Sequence, residues 1–334
     1  MRRFEINVLF ISFLFIGTSC GAGAKKAPEK KDTKVSVPSF NADSAYLYVE
    51  KQTLFGPRVP NTKEHELCRA YLTSKMKLFG AKVIEQTAEL KAYDGSILKS
   101  TNIIASFQTE NPNRILLCAH WDSRPWADND PDKKNWHKPI IGANDGASGV
   151  GVLMEIARQL GIEAAKKTNL PEVGIDIIFF DSEDEGTPKF STIAENDDSW
   201  CLGTQYWAKN PHTIDYKAKF GVLLDMVGGK AATFQWEYFS RNYAQQILQQ
   251  VWEKAASLGY DGYFKSNQGG AITDDHVYIN KIAKIPCIDI IDFDPDSKSG
   301  FVPYWHTLDD TMKNIDKSTL KAVGETLIQM IYSE

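Results

Sequence analysis

Residues 173–185 read Val-Gly-Ile-Asp-Ile-Ile-Phe-Phe-Asp-Ser-Glu-Asp-Glu, an apolar run that passes directly into acidic residues. The apolar part, residues 173–180, has the length of a strand and is rich in isoleucine and phenylalanine. It predicts a strand buried on both faces, because a half-exposed strand would alternate polar and apolar residues. In sheets of parallel strands, functional sites gather beyond the carboxyl ends of the strands. The stretch therefore predicts a central strand with a cluster of acids at its exit.

Further strands and helices are predicted on either side of this run. Apolar runs of strand length lie at residues 82–84, 101–107, 114–119, 220–226 and 285–291. Helical spacing of apolar residues covers residues 43–55, 63–79, 148–160, 203–209, 238–258 and 317–332, and Asp316 is a good N-cap for the last of these helices. Strands that alternate with helices predict an α/β sandwich around a largely parallel sheet.

The N-terminal residues resemble an export signal. Met1-Arg2-Arg3 is positively charged, residues 8–16 are apolar but too few to span a membrane, and small residues precede Cys20. We expect residues 1–20 to be a lipoprotein signal with Cys20 as the lipidated residue; an ordinary secretory signal is the alternative. Residues 21–38 predict a flexible tether, and residues 39–334 a single domain. An exported lipoprotein would be periplasmic or on the cell surface, held to the membrane only by its lipid.

Charge and cysteine content narrow the function classes. The chain of 334 residues has a net charge of −5 and no basic stripe beyond its N-terminal region, which argues against a nucleic-acid partner. Four further cysteines show no CxxC spacing, so a cysteine zinc site is not expected. Export permits disulfides, and the sequence leaves open whether any of the four is paired: they are Cys68, Cys118, Cys201 and Cys287.

Metal-ligating residue types recur in five short segments, most of which lie where a predicted strand ends or a loop begins. These segments are Ala119–Ser123, Gly142–Gly146, Phe180–Glu185, Leu223–Asp225 and Tyr304–Thr307. Each segment alone has an ordinary explanation, such as turn chemistry for Asp145 or an aromatic cluster around His306. Together they offer the carboxylate oxygens and imidazole nitrogens that zinc binds. The sequence therefore predicts a metal-dependent enzyme.

In this order, the five segments resemble the zinc-dependent aminopeptidase clan, and within it the glutaminyl-peptide cyclotransferase (glutaminyl cyclase) family, particularly bacterial relatives of the animal-type enzyme. The resemblance runs from about residue 40 to the C-terminus. Features that favour the cyclase family are Trp305 before His306, the pair Asp309-Asp310, and the segment Thr273-Asp274-Asp275-His276. The resemblance implies a three-layer sandwich, with a central mixed, largely parallel twisted sheet flanked by helices. It also implies conversion of the N-terminal glutamine of peptides or proteins to pyroglutamate, with release of ammonia.

The resemblance also implies roles for individual residues. One zinc ion per chain would be bound by Asp145, Asp184 and His306. Glu183 would be the general acid/base, with Asp225 and Asp274 in an acidic network beside it. Trp305 and Phe301 would wall the substrate pocket. His120, Asp122 and Asp275 are candidates for a second metal site or for the hydrogen-bond network.

This sequence departs from the family pattern at two positions. Asp184 stands where the second acid of the pair is usually Glu, so the backbone must come closer to the metal or Glu185 must substitute. Animal cyclases have a tryptophan soon after the acidic pair, where this chain has Lys189. Trp200, in the long 186–201 insertion, is the candidate to take the place of that tryptophan in the pocket wall.

Two other functions remain open at this point. A di-zinc aminopeptidase would use the same residues, with a second metal bridged by Asp145 and bound by His120 and Asp225, and with Glu183 activating water. A surface lipoprotein that binds peptides or sugars without catalysis is the third hypothesis.

Overall fold

The structure, a computed structural model, describes residues 36–167 and 169–334. Strands and helices alternate along this part of the chain, as the sequence predicts. The strands are β1 (Lys82–Lys91), β2 (Ile97–Phe107), β3 (Arg114–His120), β4 (Gly174–Phe180), β5 (Gly221–Asp225), β6 (Phe234–Trp236), β7 (Phe264–Gln268) and β8 (Cys287–Ile291). The helices are α1 (Ala42–Thr53), α2 (Lys63–Leu78), α3 (Ala147–Lys166), α4 (Leu202–Lys209), α5 (Tyr238–Ser257), α6 (Asp275–Tyr278) and α7 (Lys317–Ile331).

The main sheet has the strand order β1-β2-β4-β3-β5-β8. The pairs β3–β4, β3–β5 and β5–β8 are parallel, and the pairs β1–β2 and β2–β4 are antiparallel. Cys118 of β3 lies opposite Ile178 of β4 and Leu223 of β5, so β3 is paired on both sides. The predicted mixed, largely parallel sheet with flanking helices is confirmed.

The core lies on both faces of this sheet, because successive side chains of a strand point to opposite sides. In β3, Ile115 and Leu117 join a large cluster with α1, α2, α3, α5 and α7, while Leu116 and Cys118 join a smaller cluster with α4. The run that predicts a strand buried on both faces is β4, whose seven residues are all buried. The helices therefore form a layer on each side of the sheet.

The parallel strands bring acidic and histidine residues to one edge of the sheet. His120 is the last residue of β3, Asp181 follows β4 and Asp225 ends β5. Because these three strands are parallel neighbours, their carboxyl ends open onto the same loop region. Asp145 reaches this region from the loop before α3, and His306 from the loop after β8.

The structure corrects several predicted boundaries. The strand predicted at 82–84 extends to Lys91, and the one predicted at 101–107 begins at Ile97. β1 is an edge strand with many exposed residues, so its second half carries polar side chains that hide the strand pattern. The short strand β6, the helix α6 and the π-helix Ile279–Ala283 are not predicted, because each has too few residues for a recognisable period. The strand β7 is as long as β5 and β8 but is not predicted, because four of its five residues are polar.

The N-terminal predictions lie largely outside the described residues. The predicted signal, with Cys20, falls there entirely, and only residues 36–38 of the predicted tether are described. In the part of the chain that the structure describes, no helix is both long enough and apolar enough to cross a membrane. The cysteines at positions 68, 118, 201 and 287 are buried free thiols.

Candidate active site

Three side chains from distant loops meet at the carboxyl edge of the sheet. His306 Nε2 lies 3.1 Å from Asp184 Oδ1 and 3.4 Å from Asp145 Oδ2. All three residues are buried, and one ligand atom of each lies within 4.8 Å of the others. Asp184 itself completes the group, so Glu185 does not replace it.

The donor set of these three residues fits a zinc ion. Asp145 Oδ2 and Asp184 Oδ2 are buried and have no hydrogen-bond partner within the described chain, which is costly for a carboxylate unless a cation is bound. Burial first, and then the charge of Arg124, lowers the pKa of His306 to about 4, so its imidazole is neutral at neutral pH. Neutral imidazole and carboxylate are the forms that ligate zinc, and three protein ligands leave one position open for a substrate.

Two buried carboxylates hold the backbone at these ligands. Asp310 accepts hydrogen bonds from the backbone N–H groups of Asn144 (2.9 Å) and Asp145 (3.0 Å). Asp122 accepts them from the N–H groups of Glu183 (3.2 Å) and Asp184 (3.1 Å). Each clamp fixes the loop from which a ligand side chain projects, so the carboxylates of Asp145 and Asp184 are held in place by the fold.

A buried arginine supports the Asp184 side of the site and was not predicted from the sequence. Arg124 forms a two-pronged ion pair with Asp128, at 2.7 and 2.8 Å, and donates to the backbone oxygen of Asp184 at 3.1 Å. Its guanidinium also lies 4.6 Å from the ring centre of Trp200. The sequence around Arg124 does not distinguish it from an arginine that is exposed to solvent.

A second group of potential ligands surrounds His120. Its Nε2 lies 3.1 Å from Asp145 Oδ1 and 3.2 Å from Asp225 Oδ1, and its Nδ1 lies 3.5 Å from Asp122 Oδ1. Burial lowers the pKa of His120, but hydrogen bonds to the three acids outweigh burial and raise it well above its usual value. His120, Asp145 and Asp225 also lie within 4.8 Å of one another, so the residues predicted for a second metal are assembled.

Glu183 lies beside the three-residue group, among further acids. Burial, followed by the charges of Asp184, Asp274 and Asp275, raises the pKa of Glu183 well above its usual value, against a lowering effect of His120. Asp274 lies in one group with Glu183, and burial raises the pKa of Asp275 to about 7. Within the described chain, no hydrogen bond joins Asp225 to Asp274, so the predicted network consists of neighbouring acids rather than a direct bond between these two.

Most of the predicted site residues line one cavity of about 300 Å³. Nine of them border it: Asp145, Glu183, Asp184, Asp225, Asp274, His306, and the aromatic residues Trp200, Phe301 and Trp305. The Trp305 ring stacks on His306, with a centroid distance of 3.9 Å. Behind the lining lie His120, Asp122 and Asp275, which are buried and do not border the cavity.

Trp200 also lines the cavity, whereas Lys189 does not. The indole lies nearly parallel to the ring of His306, with 6.0 Å between the ring centres. Gly186 permits this position, because a Cβ there would lie only 1.8 Å from the Trp200 ring. The insertion 186–201 therefore returns a tryptophan to the site.

The chain is similar to a solved structure and to curated proteins of two activities. It is 55% identical to the glutaminyl cyclase of Bacteroides thetaiotaomicron, solved with N-acetylhistamine, with a TM-score of 0.86 over 90% of this chain and 100% of that one. It is 26% identical over 253 residues (68% of this chain) to the glutaminyl-peptide cyclotransferase of Bos taurus. It is also 26% identical over 302 residues (87% of this chain) to the aminopeptidase YwaD of Bacillus subtilis. The chain spans 64% and 57% of the lengths of these two curated relatives.

A family model provides the assignment. The model of peptidase family M28 matches residues 102–331, which include β3, β4, β5, β8 and every residue that lines the cavity. This match covers more than half of the sequence. The chain therefore belongs to peptidase family M28, a family of zinc-dependent enzymes.

Proposed function

We propose that this chain is a glutaminyl-peptide cyclotransferase, which converts the N-terminal glutamine of a peptide or protein to pyroglutamate and releases ammonia. One observation carries the proposal: the group Asp145, Asp184 and His306, the acid Glu183 and the two tryptophans Trp200 and Trp305 all border one cavity. The similarity to a bacterial glutaminyl cyclase over nearly the whole chain supports the same reaction.

The substrate carries both reacting groups on one residue, so the protein has to orient them and move a proton. Asp145, Asp184 and His306 would hold one zinc ion, and with zinc bound the site supplies a Lewis acid to the γ-carbonyl of the glutamine side chain. Trp200, Phe301 and Trp305 would enclose that side chain and exclude water from it. The substrate's α-amine would then lie near Glu183.

Glu183 would serve as the proton carrier of the reaction. The α-amine nitrogen forms a bond to the γ-carbonyl carbon and gives a proton to Glu183. When the bond from that carbon to the amide nitrogen breaks, Glu183 returns the proton, and the leaving group departs as neutral ammonia. A positioned acid/base of this kind typically contributes about 10² to 10⁴ in rate. The neighbouring acids Asp225 and Asp274 would stabilise the protonated form of Glu183 by like-charge repulsion.

A di-zinc aminopeptidase is the second candidate function, favoured by the group His120, Asp145 and Asp225. In the structure, His120 Nε2 forms a hydrogen bond with Asp225 Oδ1 at 3.2 Å, whereas Asp145 Oδ2 and Asp184 Oδ2 of the first group have no hydrogen-bond partner within the described chain. We therefore propose one zinc ion per chain, with His120 as a hydrogen-bond partner of Asp225.

One experiment separates the two functions. The zinc-loaded protein is incubated with a peptide that begins with glutamine and with a chromogenic amino-acid amide, and its zinc content is measured. Loss of ammonia from an otherwise intact peptide, by mass spectrometry, with one zinc per chain supports the cyclotransferase. Release of the first residue, with two zinc ions per chain, would assign the chain to the aminopeptidases. Inertness towards both substrates would favour a binding protein without catalysis.

We also propose that the protein is exported and anchored by a lipid on Cys20, on the evidence of the N-terminal sequence alone. The anchor would expose the catalytic domain to peptides in the periplasm or outside the cell. Cys20→Ala should move the protein from the membrane fraction to the soluble fraction after cell lysis. If the variant stays in the membrane fraction, the lipid anchor is refuted.

A further inference from the structure

The segment before α4 is tied to the segment that carries Glu183. Three backbone hydrogen bonds run from the N–H groups of residues 201, 202 and 203 to the carbonyl oxygens of residues 183, 182 and 181, with lengths of 2.9, 3.0 and 3.1 Å. Gly203 allows the close approach, because a Cβ there would lie 2.1 Å from the backbone oxygen of Asp181. Cys201 is thereby fixed directly opposite Glu183.

Cys201 adopts a backbone conformation that is unfavourable for its residue type. Its φ of 55° and ψ of 34° lie in the left-handed region, which is strained for a residue other than glycine. In this conformation the thiol points to the acid: Sγ lies 3.2 Å from Glu183 Oε1. Cys201 is fully buried and Glu183 is 9% exposed, so water does not compete strongly for this contact.

This cysteine differs from the other three in its surroundings. Cys68, Cys118 and Cys287 are members of the two apolar core clusters, whereas Cys201 belongs to neither cluster in the described chain. Burial, followed by the charge of Glu183, raises the pKa of the Cys201 thiol well above its usual value, so the thiol keeps its proton. It can therefore donate to Oε1, while the other oxygen, Oε2, lies 3.9 Å from His120 Nδ1.

We propose that Cys201 is a positioning residue for the reaction: its thiol holds Oε1 of Glu183 and thereby fixes the orientation in which the carboxyl group exchanges the proton with the substrate. The inference rests on the proposed function, because it gives Glu183 the role of proton carrier. A thiol is a weak donor, so it fixes the orientation of the carboxyl group without binding its charged form strongly. Without the donor, the carboxyl group would rotate among several positions, and fewer of these would favour proton transfer.

Three variants test the role of the thiol. Cys201→Ala removes the donor, Cys201→Ser keeps a donor, and Cys201→Gly removes the donor while relieving the left-handed conformation, so it should fold even if Cys201→Ala does not. Cys118→Ala removes a buried thiol elsewhere and is the control for a general loss of packing. We expect kcat to fall about tenfold in C201A and C201G with KM within about twofold of wild type, and kcat to stay within about threefold in C201S and C118A.

A crystal structure of C201A gives a readout that does not depend on which reaction the enzyme catalyses. We expect the Glu183 carboxyl group to change position or to adopt two conformers. An unmoved Glu183, a kcat of C201A and C201G within twofold of wild type, or an equal loss in C201S would each overturn the inference. If the wild-type protein does not cyclise glutamine, the proposed function fails, and the position of Glu183 in C201A alone decides whether the thiol orients it.

Discussion

Glu183 and Asp184 are neighbours in the chain, yet their carboxyl groups have different surroundings. Asp184 Oδ1 lies 3.1 Å from His306, whereas Glu183 Oε1 lies 3.2 Å from the Cys201 thiol. The two backbone N–H groups are held by the same carboxylate, that of Asp122. One turn thus directs the Asp184 carboxylate towards His306 and the proposed zinc site, and the Glu183 carboxyl group towards the Cys201 thiol.

Replacing Glu183 by Gln tests this division of roles. The amide keeps the size of the side chain and cannot carry the proton, so kcat should fall by about 10² to 10⁴. Zinc content should stay at the wild-type value, because Asp145, Asp184 and His306 are unchanged. Steady-state kinetics with a glutaminyl peptide measures the loss. A rate close to wild type would remove Glu183 from the mechanism.

Asp292 is a buried acid outside the cavity lining, and it predicts a pH-dependent stability. Burial raises its pKa to about 6, although the Thr233 N–H donates to it at 2.9 Å. The unfolded chain, with an aspartate pKa of about 3.9, loses the proton first, so Asp292 destabilises the fold as the pH rises from about 4 to above 6. Asp292→Asn should therefore stabilise the protein at pH 8 by about 1–2 kcal/mol and have little effect at pH 4.

Urea unfolding at the two pH values measures this difference, with the exposed Asp296→Asn as the control that should change stability at neither pH. Equal stability of D292N and wild type at pH 8 would contradict the claim that burial of the Asp292 carboxylate destabilises the fold.

The site residues that the sequence predicts are those whose side chains have distinctive metal-binding chemistry. Asp145, Asp184 and His306 are predicted as one group, and they meet in the structure. Arg124 and Cys201 were not assigned to the site, because their contacts depend on a side-chain direction and on a left-handed backbone that no local pattern reveals. Whether Trp200 lines the cavity could not be predicted with the same ease, because it depends on the path by which residues 186–201 return to the cavity.

At the scale of elements, the helix α3 lies unusually close to the strands that carry the site. A Cβ at Gly149 would lie 2.3 Å from the backbone oxygen of Leu224 and 2.9 Å from the Ala119 side chain. Gly149 is therefore required for this packing. The close contact holds the start of α3, and hence the preceding Asp145, against β3 and β5.

Gly149→Ala should destabilise the protein by about 2 kcal/mol or more, because the backbone of β5 or α3 must move to accept the methyl group. Gly262→Ala is the matched control: a Cβ there meets no atom within 4 Å, so its effect should stay within about 0.5 kcal/mol. Urea unfolding measures both changes. If the two variants were equally stable, α3 would not be packed as tightly against the strand as described.

The elements predicted best are the long and buried ones. The run at 173–180 matches β4 almost residue for residue, since both of its faces are buried. β1 was predicted only at its start, because its later residues alternate with exposed charged side chains at the edge of the sheet. The antiparallel pairing of β2 with β4, next to the parallel pair β3–β4, depends on contacts far apart in the sequence that no local period encodes.

At the scale of the whole molecule, the site concentrates negative charge that a cation must balance. Seven acids line the cavity: Asp145, Glu183, Asp184, Glu195, Asp197, Asp225 and Asp274. Against them, the described lining contains no lysine or arginine. The carboxylates of these acids repel one another, and the two positive charges of a zinc ion would offset that repulsion. Metal binding should therefore contribute to stability as well as to catalysis.

Chelation of zinc should therefore lower the melting temperature by about 5 °C or more, and one equivalent of zinc per chain should restore it. His306→Ala should start from the lower temperature and show no response to the chelator, because it lacks one of the three ligands. Differential scanning calorimetry measures the shift. A wild-type melting temperature that chelator leaves unchanged would exclude a structural contribution of the metal, and a need for two equivalents would favour the aminopeptidase.

The order of the proposed zinc ligands along the chain has a consequence for biosynthesis. Asp145 and Asp184 belong to the middle of the polypeptide, while His306 follows the last strand, β8. A nascent chain that emerges from the ribosome or from a translocation pore, amino end first, presents the two carboxylates long before the imidazole. It cannot retain the ion tightly until synthesis or translocation is almost complete. The compartment in which the chain finishes folding is thus the one whose zinc supply activates it.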